Sequence, residues 1–170
     1  MEIFKIVIPA FIVMMTAYLL FDKMFVNEDK RRKAELQKKN QSVITPIRLR
    51  AYERIALLLE RCHPAAMMLQ VIQPGMTCID AQSKLLAFIR AEYDHNISQQ
   101  IYVSDELWEA VKASHDTIIK LINTTAQHFQ PDDQATKYAE VIIRMYAEVD
   151  ENPSSVALSI LKSETQELFL

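Results

Sequence analysis

Glycine is almost missing from this chain: 170 residues contain one, Gly75, where average usage of about 7% would give roughly 12. Dinucleotide and phosphate sites need several glycines so that the backbone can approach a pyrophosphate, and hairpin-rich β folds need them for positive φ. A Rossmann domain, a P-loop and a many-turned β-sandwich are therefore excluded. Cysteine is nearly as scarce. Cys62 and Cys78 form neither a metal-type pair nor a framework of staples, and they read as reduced thiols of a cytosolic compartment. What is present is 50% apolar and 24% charged, the composition of a folding chain that closes its helices without glycine.

Sixteen uncharged residues run from Ile6 to Phe21, and Ile3 and Phe4 extend them past Lys5. Positions 3–21 reach roughly 28 Å as a helix, close to a hydrocarbon core. No small-x-small cleavage signal follows, since the next residues are Asp22, Lys23, Met24 and Phe25, so the segment reads as an uncleaved anchor. Behind it stand seven basic residues, Lys23, Lys30, Arg31, Arg32, Lys33, Lys38 and Lys39. That excess predicts an inner-membrane, single-pass protein with its N-terminus outside and its C-terminal domain cytoplasmic. The bilayer is then one partner, through residues 3–21, and anionic headgroups are another, through Lys30, Arg31, Arg32 and Lys33. The expected organisation is an anchor over 1–22, a basic helical linker over 23–44 and a helical bundle over 45–170.

Helix signals punctuate the bundle. Thr45-Pro46 reads as an N-cap with proline at the first helical position, followed by Ile47, Ala51, Ile55, Leu58 and Cys62 at helical spacing. A short helix is expected over Pro64 to Ile72, ended by Gln73-Pro74-Gly75. Thr77 with Asp80 reads as a shortened capping box for a stripe of Ile79, Leu85, Leu86, Ile89 and Tyr93. Ser104 opens a helix with Leu107, Trp108, Val111, Ile118, Leu121, Ile122 and Phe129 inside. Pro131 to Asp133 opens another, carrying Ala135, Tyr138, Ile142, Met145 and Tyr146, and Asn152-Pro153 opens the last, with Val156, Ile160, Leu161 and Leu168. The fold class is all-α, a transmembrane helix followed by an antiparallel bundle of about five helices.

Charge is polarised. Residues 40–170 hold 11 basic and 17 acidic residues, a net of −6, and four of the basic ones, Arg48, Arg50, Arg54 and Arg61, lie on the first domain helix. An acidic distal half disfavours phosphate-backbone binding, so nucleic acid is not an expected partner and a protein is. The one constellation with catalytic content is a pair of Glu-x-x-His motifs, Glu60 with His63 and Glu92 with His95, the spacing that sets a carboxylate and an imidazole on one helix face in di-metal bundles. His63 precedes Pro64 at a helix end and the two motifs do not alternate with lone-Glu helices, so no cofactor is implied and a metal oxidoreductase is only the alternative. His95, Asn96, Gln99, Gln100 and Tyr102 form a polar run between two helices. It is open to recognition, yet more simply explained as capping, with Asn96 closing one helix and Ser104 opening the next.

Ile44 to Arg61 (ITPIRLRAYERIALLLER) and Glu92 to Ser104 (EYDHNISQQIYVS), behind a single apolar N-terminal run, resemble an uncharacterised family of small membrane-anchored Bacteroidota proteins. The resemblance implies an inner-membrane protein and carries no activity with it. The expected function is a non-enzymatic interaction module or accessory subunit of a membrane complex. Arg48, Arg50, Arg54, His95, Asn96, Gln99, Gln100 and Tyr102 are its candidate contact residues.

Overall fold

A computed structural model describes the backbone of residues 2–149 and 152–169 and, within these, every side chain except those of residues 2–10, 12, 13, 17, 19 and 26. It is all-helical: α1 (Glu2–Cys62), α2 (Pro64–Val71), α3 (Cys78–Asn96), a 3-10 helix (Ile97–Tyr102), α4 (Asp105–Ala126), α5 (Ala135–Ala147) and α6 (Pro153–Glu167). Among the described residues there are six α-helices, where an anchor helix and a bundle of about five were expected. Among the described residues the only β pairing is an isolated bridge between Thr77 and Gln134. The chain divides into two compact units, Met1–Thr45 and Pro46–Leu170.

The membrane assignment is corrected. Among the described residues no helix is long and apolar enough to cross a membrane. Of the expected span, the side chains of residues 3–10, Ile12, Val13, Ala17 and Leu19 lie outside the described ones. The inner-membrane location falls with the span, as do the outward N-terminus and the cytoplasmic domain inferred from it. In the same unit, two members of the basic run are matched by acids one turn away: Arg31 pairs with Glu35 at 2.9 Å and Arg32 with Glu28 at 3.3 Å, all four exposed.

A second correction concerns Thr45-Pro46, which starts no new helix because α1 is helical through both residues. Proline lacks the N–H that would bond back to Ser42, so it weakens the ladder without ending it. The other sequence signals act as local chemistry dictates. Thr77 Oγ1 accepts from the Asp80 amide at 3.3 Å and donates to its carboxylate at 2.8 Å. Ser104 Oγ accepts from Leu107 N at 3.0 Å, and Asn152 Oδ1 from Ser154 N at 2.9 Å with Pro153 at the first helical position. Gly75 takes φ +82°, and no other described residue has a positive φ.

In Pro46–Leu170, α4 is central, packing on α3, α5 and α6, while α2 lies against α3 and α5. The core is formed by Tyr52, Ile55, Leu58 and Leu59 of α1, Leu85 and Ile89 of α3, Leu107, Val111, Ile118 and Ile122 of α4, Tyr138 and Ile142 of α5, and Ala157 and Leu161 of α6. Several stripe residues lie elsewhere than expected. Ile47, Ile79, Met145 and Val156 are exposed, whereas Tyr52, Ala81 and Ala157, unremarkable in the sequence, are buried. The helix expected from Pro131 starts instead at Ala135, because residues 131–135 bond back to the start of α3: Cys78 N donates to Asp133 O at 2.8 Å, Ile79 N to Pro131 O at 3.2 Å, and Ala135 N to Met76 O at 3.1 Å.

Candidate functional site

The two sequence strings that carry the family resemblance meet in space. Three arginines of α1, spaced along its 46–62 stretch, bind successive levels of the 92–104 string. Arg48 Nε donates to Tyr102 O at 3.1 Å. Arg54 donates from Nε to Asn96 Oδ1 at 3.2 Å and from Nη2 to His95 O at 3.3 Å. Arg61 Nη2 meets Glu92 Oε1 at 2.8 Å. Helical periodicity explains the set: residues 54 and 61 are seven apart and so share a face, and the planar guanidinium offers five donors of which each pairing uses one or two.

Those contacts leave a groove of about 380 Å³ lined by Arg54, Leu57, Arg61, Glu92, His95 and Asn96, with Leu58 at its floor toward the core. Leu57 stands 61% exposed beside the two guanidinium groups. The Arg61 side chain, 49% exposed, also lies over the Phe88 ring, 5.8 Å from its centroid, which fixes the guanidinium while leaving its edge open. Asn96, buried, donates from Nδ2 to Glu92 O at 2.9 Å, one turn back along α3.

The candidate contact residues therefore divide. Arg54, His95 and Asn96 line the groove; Arg50 is exposed on the same helix. Arg48 belongs to a separate polar cluster. Its Nη2 donates to Tyr52 Oη at 2.7 Å, Tyr52 Oη donates to Glu164 Oε2 at 2.8 Å, and Ser104 Oγ donates to Glu164 Oε1. This cluster ties α1, α4 and α6 together. Gln99 is buried, with Nε2 on Ser98 Oγ at 3.1 Å, while Gln100 and Tyr102 are exposed on the 3-10 helix. Leu57 was not singled out in the sequence, and Arg61 was named there only as a basic residue of the first domain helix, not as a contact residue. The signal was present in the run Leu57-Leu58-Leu59, since three consecutive residues turn through most of a helix circumference and one must leave the core.

The di-metal candidates are not brought together. Glu92 is engaged by Arg61, and the His63 ring packs edge-on against Tyr146, centroids 5.2 Å apart. Among the described residues no group of three or more His, Cys, Asp or Glu side chains could hold a metal ion. Cys62 is buried with its thiol pushed up to about 12, by burial first and then by the Glu92 carboxylate, with Arg61 opposing. Burial, then Asp133, also raises Cys78. Neither is a thiolate at neutral pH. His115 offers the one buried side-chain nitrogen without a partner among the described residues, Nε2, beside a mainly apolar cavity of only about 10 Å³ that it lines with Cys62 and Ser114. That is room for a water and not for a substrate.

Residues 1–168 match the model of DUF7935, a family of unknown function, and the chain belongs to that family. The match agrees with the expected uncharacterised family and supports neither a Bacteroidota origin nor a membrane span. No curated protein and no solved structure matches the chain.

Proposed function

We propose that this member of a family of unknown function is a non-enzymatic interaction module: Pro46–Leu170 as an antiparallel helical bundle whose groove between α1 and α3 receives an acidic segment of a partner protein. The observation that carries the reading is the groove itself, where Arg54 and Arg61 flank the exposed Leu57. Guanidinium groups bind carboxylates in a bidentate fork, and an apolar side chain between them adds burial that a charge pair alone does not supply. Charge contrast adds support. The groove's arginines lie on a stretch of chain whose residues 40–170 total −6, so an acidic partner is attracted to the groove and repelled elsewhere. The non-catalytic part of the reading rests on the protonated, buried thiols and the scattered histidines.

The test is a photo-crosslinking residue at position 57 of the full chain in its native cells. A discrete heterologous adduct is expected that is lost when Arg54→Glu and Arg61→Glu are combined. Absence of an adduct, or one indifferent to both reversals, overturns the reading.

A further inference from the structure

A second face of Pro46–Leu170 is built for association, and nothing in the groove reading explains it. Leu69 on α2 is 88% exposed, the most exposed large apolar side chain among the described residues of this unit. With Ala65, Met68, Ile72, Ala139 and Ile143 it lines an open, mainly apolar groove of about 450 Å³ between α2 and α5. Helix α2 has a strong internal reason to bury its other side, where Met67 and Met68 reach the core, and no such reason to present a leucine to water.

We propose that this face joins two copies of the chain about a two-fold axis, Leu69 of each copy entering the α2–α5 groove of the other. Two observations select a second copy over an unrelated partner. First, the projecting side chain and the recess that would receive it lie on one patch, the condition an isologous contact must meet. Second, the charges are self-complementary. Glu140 lines the groove on α5 and Arg144 follows one turn later on the same helix, both exposed and neither in an ion pair among the described residues. Laying two α5 helices antiparallel, with the axis midway between these positions, sets each Glu140 against Arg144 of the partner subunit. One contact is thereby made twice. A partner of uniform charge would gain at one position and lose at the other, so this face does not share the preference of the arginine groove for acid.

The experiment is sedimentation equilibrium of the full chain over micromolar concentrations, with circular dichroism melts as a check on folding. A dimer is expected for the parent chain, and Leu69→Asp, being at an exposed position, should keep the helical signal and a cooperative melt while dissociating it. Glu140→Arg and Arg144→Glu alone should each weaken the dimer about tenfold, like charges replacing two opposite pairs, and the double reversal should restore it to within about threefold. The proposal is overturned if the parent chain is monomeric throughout, if association ignores Leu69→Asp, or if the double reversal melts normally without restoring the dimer. None of these outcomes depends on Arg54, Leu57 or Arg61, so failure here leaves the acidic-partner reading standing, and the reverse also holds.

Discussion

Glu164 on α6 offers the sharpest test of how this fold is held, because one carboxylate serves three donors from two distant parts of the chain. Tyr52 Oη reaches Oε2 at 2.8 Å, Ser104 Oγ reaches Oε1, and the Ser104 amide lies 3.4 Å from Oε2. Replacing Glu164 with Ala leaves the hydroxyl of Tyr52, a residue 1% exposed, with no acceptor for its proton. Its oxygen still receives Arg48. Ser104 Oγ also continues to accept from Leu107 N, so the α4 cap survives. Hydrogen bonds to a charged group contribute about 1.5–3 kcal/mol each, and partial exposure of Glu164 argues for the lower figure, so loss of the two hydroxyl bonds should make Glu164→Ala cost about 3 kcal/mol, the long amide contact adding little. Tyr52→Phe removes one donor and lets Arg48 turn toward the freed carboxylate, for a loss of about 1 kcal/mol. Urea unfolding of the full chain, followed by circular dichroism, gives both values and that of the double variant. Because the two residues share one bond, the double variant should fall short of additivity by about 1–2 kcal/mol with an unchanged denaturant slope. Strict additivity would refute the network and leave only independent packing effects.

Gly75 is the one position where backbone conformation alone should decide a substitution: φ is +82° and a Cβ would meet nothing within 4 Å. Gly75→Ala should therefore cost about 1–2 kcal/mol of unfolding free energy and Gly75→Asn clearly less, and equal costs would show that the turn relaxes. Tyr138 is fully buried and donates to Ile122 O at 2.7 Å, so Tyr138→Phe should lower stability by about 1–3 kcal/mol, read as a fall in the urea midpoint. Burial raises Cys62 to about 12 and moves Cys78, Tyr52, Tyr93, Tyr138 and Tyr146 upward from their ordinary 9.0 and 10.0. The folded state thus holds these protons more tightly than the unfolded one. Their contribution is complete below pH 9 and is lost as pH rises from there through about 12. Urea midpoints should accordingly decline above pH 9, and a flat or rising profile would contradict the burial of these groups. By the same logic both thiols should resist a disulfide reagent at pH 8 in the folded chain and react fully in urea; rapid labelling of either in the native state would count against it.

How much of this was legible in the amino acids follows from the range of each interaction. Thr77, Ser104 and Asn152 cap helices, and Pro64, Pro153 and Gly75 punctuate them, because a cap needs only the next two or three residues. The start of α5 was misplaced by four residues for the opposite reason: Pro131 and Asp133 are held by amides of α3, more than fifty positions earlier. The apolar stripes were right at their centres, Leu85, Ile89, Val111, Ile118 and Ile142, and wrong at their edges, where Ile47, Ile79 and Val156 come out to solvent. Period alone defines a helix face, and the neighbour decides how wide the buried part is. Of the polar run from His95 to Ser104, the cap by Ser104 was readable, whereas Asn96 makes no side-chain cap and instead bonds one turn back to Glu92 O. Its bond to Arg54 was not readable, since forty-two positions separate them.

By itself, then, the sequence determined that the chain is all-helical and where most of its helices begin, and one glycine in 170 residues already excluded the nucleotide-binding folds. These are consequences of local propensity, capping and periodicity. Only the tertiary structure decided what each helix face meets. It set Arg54 and Arg61 around Leu57 as a groove, gave Glu164 to Tyr52 and Ser104, left Leu69 in water beside an open recess, and kept Glu60, His63, Glu92 and His95 from forming a metal group. Such outcomes depend on which side chains the packing of α1 to α6 brings within a few ångströms, and no pattern read along one helix contains that information.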